Sequence, residues 1–322
     1  MAIDRITSTQ AFELCGWGRV DSRTLRERVI EASRFADEAA ATYAKPFFIK
    51  GQAESGAGKC ARIHKFVKQV TGKNPRVDPQ LTGDCVSMGS RQCNIMRSCV
   101  EIAGGDLEKY KYLFSAYSYA AGRVIIGKNR LRGGAGSMGG WQAEADTGQG
   151  FLAADDAGGL KYSKGLADAW GDDKKYDGKS FRDFSDVAKV TNLQQWARVQ
   201  SWNETRDAMY HGYPLSICGS RGYTMKPGID GYHKPSGTWP HCMTVYAYWE
   251  NVNVPAVAIL NSWGDVHGVV HDPETGEELP PGTLLVRLEE FEKYHLVTSN
   301  TECIAYSSID GFDAKIDWTE FA

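Results

Sequence analysis

The sequence predicts an α+β fold of two lobes, a helical lobe followed by a β-rich, barrel-like lobe, and three observations carry that prediction. Helical periodicity dominates the first half of the chain, whereas short runs of Val, Ile, Leu, Thr and Tyr between turn residues dominate the second. Helices in one block and strands in the next argue for segregated layers rather than alternating βαβ units. The length, 322 residues, also exceeds what a single growing core usually serves.

Composition narrows the classes further. With 37 Lys+Arg against 40 Asp+Glu the net charge is −3, so nothing favours nucleic acid or an anionic membrane as partner. No apolar run reaches the roughly 18 residues of a membrane-spanning helix, and the N-terminus lacks a basic end followed by an apolar stretch, which predicts a cytoplasmic protein. The cysteines at 15, 60, 85, 93, 99, 218, 242 and 303 show no CxxC spacing. The expectation is therefore free thiols in a reducing compartment, with no structural metal and no cofactor, and reactivity becomes the question.

Residues 22–44 carry Leu25, Val29, Ala32, Ala36, Ala39 and Tyr43 at helical spacing. The stretch AESGAGKC (53–60) resembles a phosphate-binding loop, but Ala53 replaces the first glycine and Cys60 the magnesium-binding hydroxyl, so nucleotide binding is set aside. A second helix is expected over 59–71 and a third from Cys85 to about Ile102, ending at Gly104-Gly105. Residues 110–126 read as a buried helix, 130–148 as a glycine-rich loop, and 154–186 as a polar crossover between lobes. Strands are expected at Val187–Thr191, Pro214–Cys218, Cys242–Trp249, Ala256–Asn261 and Thr283–Leu288. A helix at 201–212 interrupts them, with Ser201 and Glu204 in capping-box spacing. The expected organisation is an N-terminal extension over 1–70, either a permanently packed segment or a removable propeptide-like one, a helical lobe over 71–165, a β-rich lobe over 166–312 and a tail over 313–322. Gln142, Glu144, Asp146, Asp155 and Asp156 read as a solvated face and turn, and Cys93, Cys99, Cys218, Cys242 and Cys303 as packing residues.

Chemistry gathers in three separated segments, PQLTGDCVSMGS (79–90), GTWPHCMTVYAY (237–248) and AVAILNSWGDV (256–266). A cysteine in the first turn of a helix faces unpaired backbone N–H groups and the positive end of the helix dipole, and both stabilise its thiolate. A nucleophile of this kind needs an imidazole whose second nitrogen is fixed by an acceptor, a part that a side-chain amide can take. His241 begins one apolar strand and Asn261 ends the next. An antiparallel pairing sets them side by side at one sheet edge, and no other histidine is expected to have such a partner. Taken singly, a buried Cys or a His before a strand is a packing residue; the order and spacing together favour a site.

This arrangement resembles the papain-like cysteine peptidases, through the order Gln80, Cys85, His241, Asn261 and the run Asn261-Ser262-Trp263-Gly264. His241 and Asn261 lie 156 and 176 residues after Cys85, slightly beyond the family's usual interval. The match runs from about Gln80 to Phe312. The resemblance implies a two-lobe fold, with Cys85 as nucleophile, His241 as acid/base, Asn261 as orienting amide and Gln80 as oxyanion donor beside the Cys85 N–H. It implies that Trp263 shields the His–Asn contact, that Gly139-Gly140 forms a strip for an extended substrate, and that the substrate is a peptide or protein. Thr82 stands where the family usually has a cysteine, Val86 where it has an aromatic residue, and Gln80 is one residue nearer the nucleophile than usual. The missing cysteine fits a reducing, bacterial or viral setting. The same residues also suit a binding module without turnover, or an amide hydrolase or transferase acting on cell-wall crosslinks.

Overall fold

The computed structural model describes residues 55–128, 139–296 and 301–307. The helix expected over 22–44, residues 130–138 of the glycine-rich loop and the tail over 313–322 lie outside the described residues. Among the described residues no helix is long and apolar enough to cross a membrane.

The centre of the molecule is one helix pressed against one strand. Helix α2 (Cys85–Ala103), which follows α1 (His64–Thr71), is buried from Cys85 to Glu101. Strand β4 (Pro235–Trp249) is buried without interruption from Trp239 onward, so it is covered on both faces. A Cβ added at Gly89 on α2 would lie 2.9 Å from Cys242 Sγ on β4. Glycine there permits the close approach, and Thr244 Oγ1 donates to the Gly89 carbonyl at 3.0 Å to fix it.

Among the described residues seven strands form one sheet. The remaining strands are β1 (Cys60–Arg62), β2 (Trp196–Arg198), β3 (Leu215–Tyr223), β5 (Ala256–Leu260), β6 (Thr283–Arg287) and β7 (Glu302–Tyr306). Their order is β2-β7-β3-β4-β5-β6, with β1 paired to the far end of β4. The pairs are antiparallel, and the sheet is open rather than closed as a barrel, with β2 and β6 at its edges. The register between β4 and β5 slips by one residue between Val245 and Ala247, a bulge that bends β4 in mid-course.

A second buried cluster joins Phe114, Tyr117, Leu152, Leu166, Trp170 and Phe181, contributed by helices α3 (Ser115–Ala120), α5 (Lys164–Gly171) and neighbouring loops. Several expectations are corrected in this region. Residues 110–114 are extended, Leu113 bridges Ala153, and α3 runs on into a π-helical turn over Ala121–Ile126, so 110–126 is not one helix. Residues 139–148 are not loop but belong to helix α4 (Gly139–Gln149). Val187–Thr191 is not a strand; it ends helix α6 (Ser185–Ala188), and its Ala188 and Thr191 carbonyls accept from the Phe151 N–H instead of from a neighbouring strand. Gly150 makes that contact possible, at φ 71° and with no room for a Cβ against Ala188 O. Asp146 and Gln142 are not on a solvated face: both are buried, and Asp146 accepts from Gln142 Nε2 at 2.9 Å and from Ser90 Oγ, which ties α4 to α2.

The helix expected at 201–212 is present as α7 (Trp202–Tyr210), with Ser201 Oγ accepting from the Glu204 N–H; Glu204 turns back to the Gln200 N–H rather than to the cap residue itself. Residues 59–71 are not wholly helical, because Cys60–Arg62 pairs with Trp249–Ala247 before α1 begins.

Arg62 on β1 holds this end of the sheet. Its guanidinium donates to Asp272 at 2.6 Å in a pair with both side chains 1% exposed, and also meets Glu274 and the face of Trp249. Removing one partner of such a pair strands the other charge. Asp272→Ala is expected to lower unfolding free energy by about 3–5 kcal/mol, read as a fall in the urea midpoint; a loss under about 1 kcal/mol would show that the pair is a surface-type contact.

Candidate active site

Helix α2 starts at Cys85 because Asp84 turns the chain: Asp84 is the N-cap by backbone, its carbonyl accepts from Ser87 Oγ at 2.9 Å, and its side chain makes no cap. Cys85 is 2% exposed and packs with Val86, Cys218 and Cys242. Cys218 and Cys242 face each other across β3 and β4, one step inward from the Gly219↔His241 pair. The start of α2 therefore meets β4 at Cys242, the residue next to His241.

His241 Nε2 lies 2.7 Å from Asn261 Oδ1, both residues being buried. The two do not sit directly opposite. The ladder pairs Thr244 with Leu260 and Val245 with Ile259, so Asn261 reaches His241 on the diagonal. The Trp263 ring stacks on the His241 ring at 4.6 Å and 27°, and Trp239 packs behind it at 4.8 Å, which removes water from the His–Asn contact.

Gln80 is buried beside this pair in a doubly tied loop. Its backbone N–H donates to Ser262 O at 2.7 Å, its Oε1 accepts from Ser262 Oγ at 2.8 Å, and its Nε2 donates to Thr82 O at 3.0 Å. Gln80 is thus tied to Ser262 through both backbone and side chain. Gly139 and Gly140 are placed elsewhere: they are buried in the first turn of α4, Gly139 packs on Cys218, Glu302 and Ile304, and the Gly140 N–H donates to Glu302 at 3.3 Å. Their N–H groups serve a buried carboxyl, a use different from the substrate strip expected of them. Among the described residues no group of three His, Cys, Asp or Glu side chains gathers as a metal would require.

No family model matches the chain, and no curated protein matches it by sequence. Among solved structures, procathepsin B S9 from Trypanosoma congolense superposes with a TM-score of 0.50 at 10% identity, over 78% of this chain and 77% of that one. Xylellain, a cysteine protease from Xylella fastidiosa, covers 78% of this chain and 86% of its own at 14% identity and a TM-score of 0.49. The chain has the papain-like fold.

Within that papain-like fold, three further groups at the candidate site are barely signalled by the sequence. Ser262 lies inside the NSWG run, yet nothing in the run itself points to its bond with Gln80. His267 contradicts the expectation that only His241 has an amide partner: its Nε2 accepts from Asn261 Nδ2 at 2.8 Å. Gly264, at φ 73°, folds the chain back to allow this, and the glycine is the only hint in the sequence. Asp84 is fully buried, with Oδ2 accepting from Tyr162 OH at 2.7 Å and Oδ1 without a hydrogen bond. Burial pushes its carboxyl up to about 7 against the pull of Tyr162, and negative charge on Cys85 adds to the rise. Below that point Asp84 is neutral and places no negative charge beside Cys85.

A carboxyl raised from 3.8 to about 7 binds a proton in the folded state that the unfolded chain has already released. Its contribution to stability is full below the unfolded value and is lost as pH rises through about 7. Asp146, also pushed up to about 7 by burial, acts in the same sense. Wild-type protein is thus expected to lose urea stability between pH 5 and pH 8, and Asp84→Asn to lose less; equal losses in both proteins would place the Asp84 proton elsewhere.

Proposed function

We propose that the chain is a cysteine peptidase that cleaves peptide bonds through a thioester on Cys85. The observation that carries this reading is the His241–Asn261 contact beneath Trp263, at the step of β4 where α2 presents its first-turn cysteine. With Nε2–H donated to Asn261, His241 has Nδ1 for the thiol proton, so the pair forms a thiolate and an imidazolium.

The thiolate attacks the substrate carbonyl carbon, and the developing oxyanion is met by the Cys85 N–H at the helix start and by Gln80 Nε2. Collapse expels the amine, which takes the proton from His241 Nδ1 and leaves an acyl thioester. His241 then removes a proton from water as the oxygen attacks the thioester carbon, and the acid leaves as the proton returns to the thiolate. Asn261 keeps the imidazole oriented throughout. Ser262 holds the Gln80 amide in place, which offsets the one-residue shortening of the Gln80–Cys85 interval.

On peptides that the wild type cleaves, Cys85→Ala and His241→Ala should abolish turnover, with Asn261→Ala retaining more than either. Gln80→Ala should lower kcat about 10²-fold with KM little changed, because the oxyanion exists only in the transition state. Iodoacetamide at pH 6 should modify Cys85 ahead of every other thiol, since burial raises Cys60 to about 11 and Cys99 to about 12. Full turnover in His241→Ala, or Cys60 reacting before Cys85, would overturn the assignment.

A further inference from the structure

We propose that His267 is a positioning residue for this reaction, holding the Asn261 amide with its oxygen towards His241 and its nitrogen away. The proposal deepens the peptidase reading and rests on it. An asparagine amide is nearly symmetric in shape, so a single partner does not decide which end faces the imidazole. Asn261 has two partners, His241 Nε2 at 2.7 Å and His267 Nε2 at 2.8 Å, one at each end of the amide. With His267 Nε2 an acceptor, Nδ2 must face His267 and Oδ1 must face His241, which places the His241 proton on Nε2 and leaves Nδ1 for sulfur. Flipping the amide would set oxygen against an acceptor nitrogen.

The surroundings hold His267 in the neutral, accepting form. Its ring is enclosed by Trp239 and Trp263, each 6.3 Å away, and by His233 edge-on at 5.9 Å. Burial dominates and pushes the imidazole down to about 3; His233, His241 and Lys226 act in the same direction, against the Met225 backbone, which favours protonation. Its backbone is anchored in turn. The Leu285 N–H donates to His233 Nδ1 at 3.2 Å, so His233 carries its proton on Nε2, which donates to His267 O at 3.1 Å. Hydrogen bonds thus link β6 through His233 to the His267 backbone, and the His267 ring through Asn261 to His241.

The test combines kinetics, alkylation and tautomer detection on the full chain. His267→Leu should lower kcat roughly 10-fold, the scale of one buried hydrogen bond left unmade, with KM little changed. His267→Gln, which restores an acceptor, should recover most of the loss. In an Asn261→Ala background His267→Leu should cost nothing more, as an effect transmitted through Asn261 requires. Independently of any variant, ¹⁵N-histidine spectra of the wild type should show His267 Nε2 unprotonated. An Nε2–H tautomer, an unchanged kcat in His267→Leu, or the same loss with and without Asn261 would overturn the proposal. A wild type that neither cleaves peptides nor alkylates at Cys85 would sink the peptidase reading instead, and the tautomer spectrum would still decide the orientation of the amide.

Discussion

Helix α2 approaches β4 most closely at Gly89, and the placement of Cys85 against the His241 strand depends on that contact. A Cβ at 2.9 Å from Cys242 Sγ would force either that side chain or the helix to shift, and Cys85 lies one turn before that point on the same helix. Thr244, two residues after Cys242, bonds the Gly89 carbonyl, so helix and strand are fixed in translation as well as in distance. Cys85 and His241 come from elements 156 residues apart in sequence. Their relation is nonetheless set by short-range contacts between α2 and β4, among them Cys85 against Cys242, Gly89 against Cys242 and the Thr244–Gly89 hydrogen bond.

Several buried titratable groups of the interior are biased towards their neutral forms. Asp84 and Asp146 flank α2 with carboxyls pushed up to about 7, while His267 and His295 are pushed down to about 3, burial being the leading cause for all four. Each change removes a charge that the protein would otherwise have to solvate without water. Under the proposed chemistry, charge is then needed only at Cys85 and His241, where the helix N-terminus and the Asn261 amide are aimed to receive it. Charged pairs do occur inside, as at Arg62–Asp272 and Arg97–Glu101, where each charge meets its counter-charge directly at 2.6 and 2.9 Å.

Features that depend on local order are legible in the sequence: the start of α2 at Cys85, the apolar runs of β4, β5 and β6, the Ser201 cap and the order Gln80, Cys85, His241, Asn261. Elements whose identity depends on a distant partner are not. Cys60–Arg62 becomes a strand only because the end of β4 is open to it, Trp196–Arg198 and Glu302–Tyr306 pair with each other, and Val187–Thr191, with the composition of a strand, pairs with none of the described strands. Asp146 reads as surface until α2 is laid against α4 and Ser90 arrives beside it. His267 is of the same kind, since six residues of separation from Asn261 reveal nothing until the Gly264 turn folds the chain back.

Residues 55–71 precede the part of the chain that carries the resemblance, yet they are not peripheral to it. Strand β1 continues the pairing of β4 where β3 has ended, covering Ala247, Tyr248 and Trp249 on the side away from β5. Just before it, Gly56 donates to Asp207 and accepts from Tyr248 OH, and the Gly58 N–H meets Glu250, so even the glycine-rich stretch is bonded to α7 and to the end of β4. Removing the chain as far as Arg62 would unpair the inner end of β4 and leave Asp272 without its guanidinium partner. Residues 56–62 are therefore built into the sheet, through the β1–β4 ladder and the bonds to Asp207, Tyr248 and Glu250.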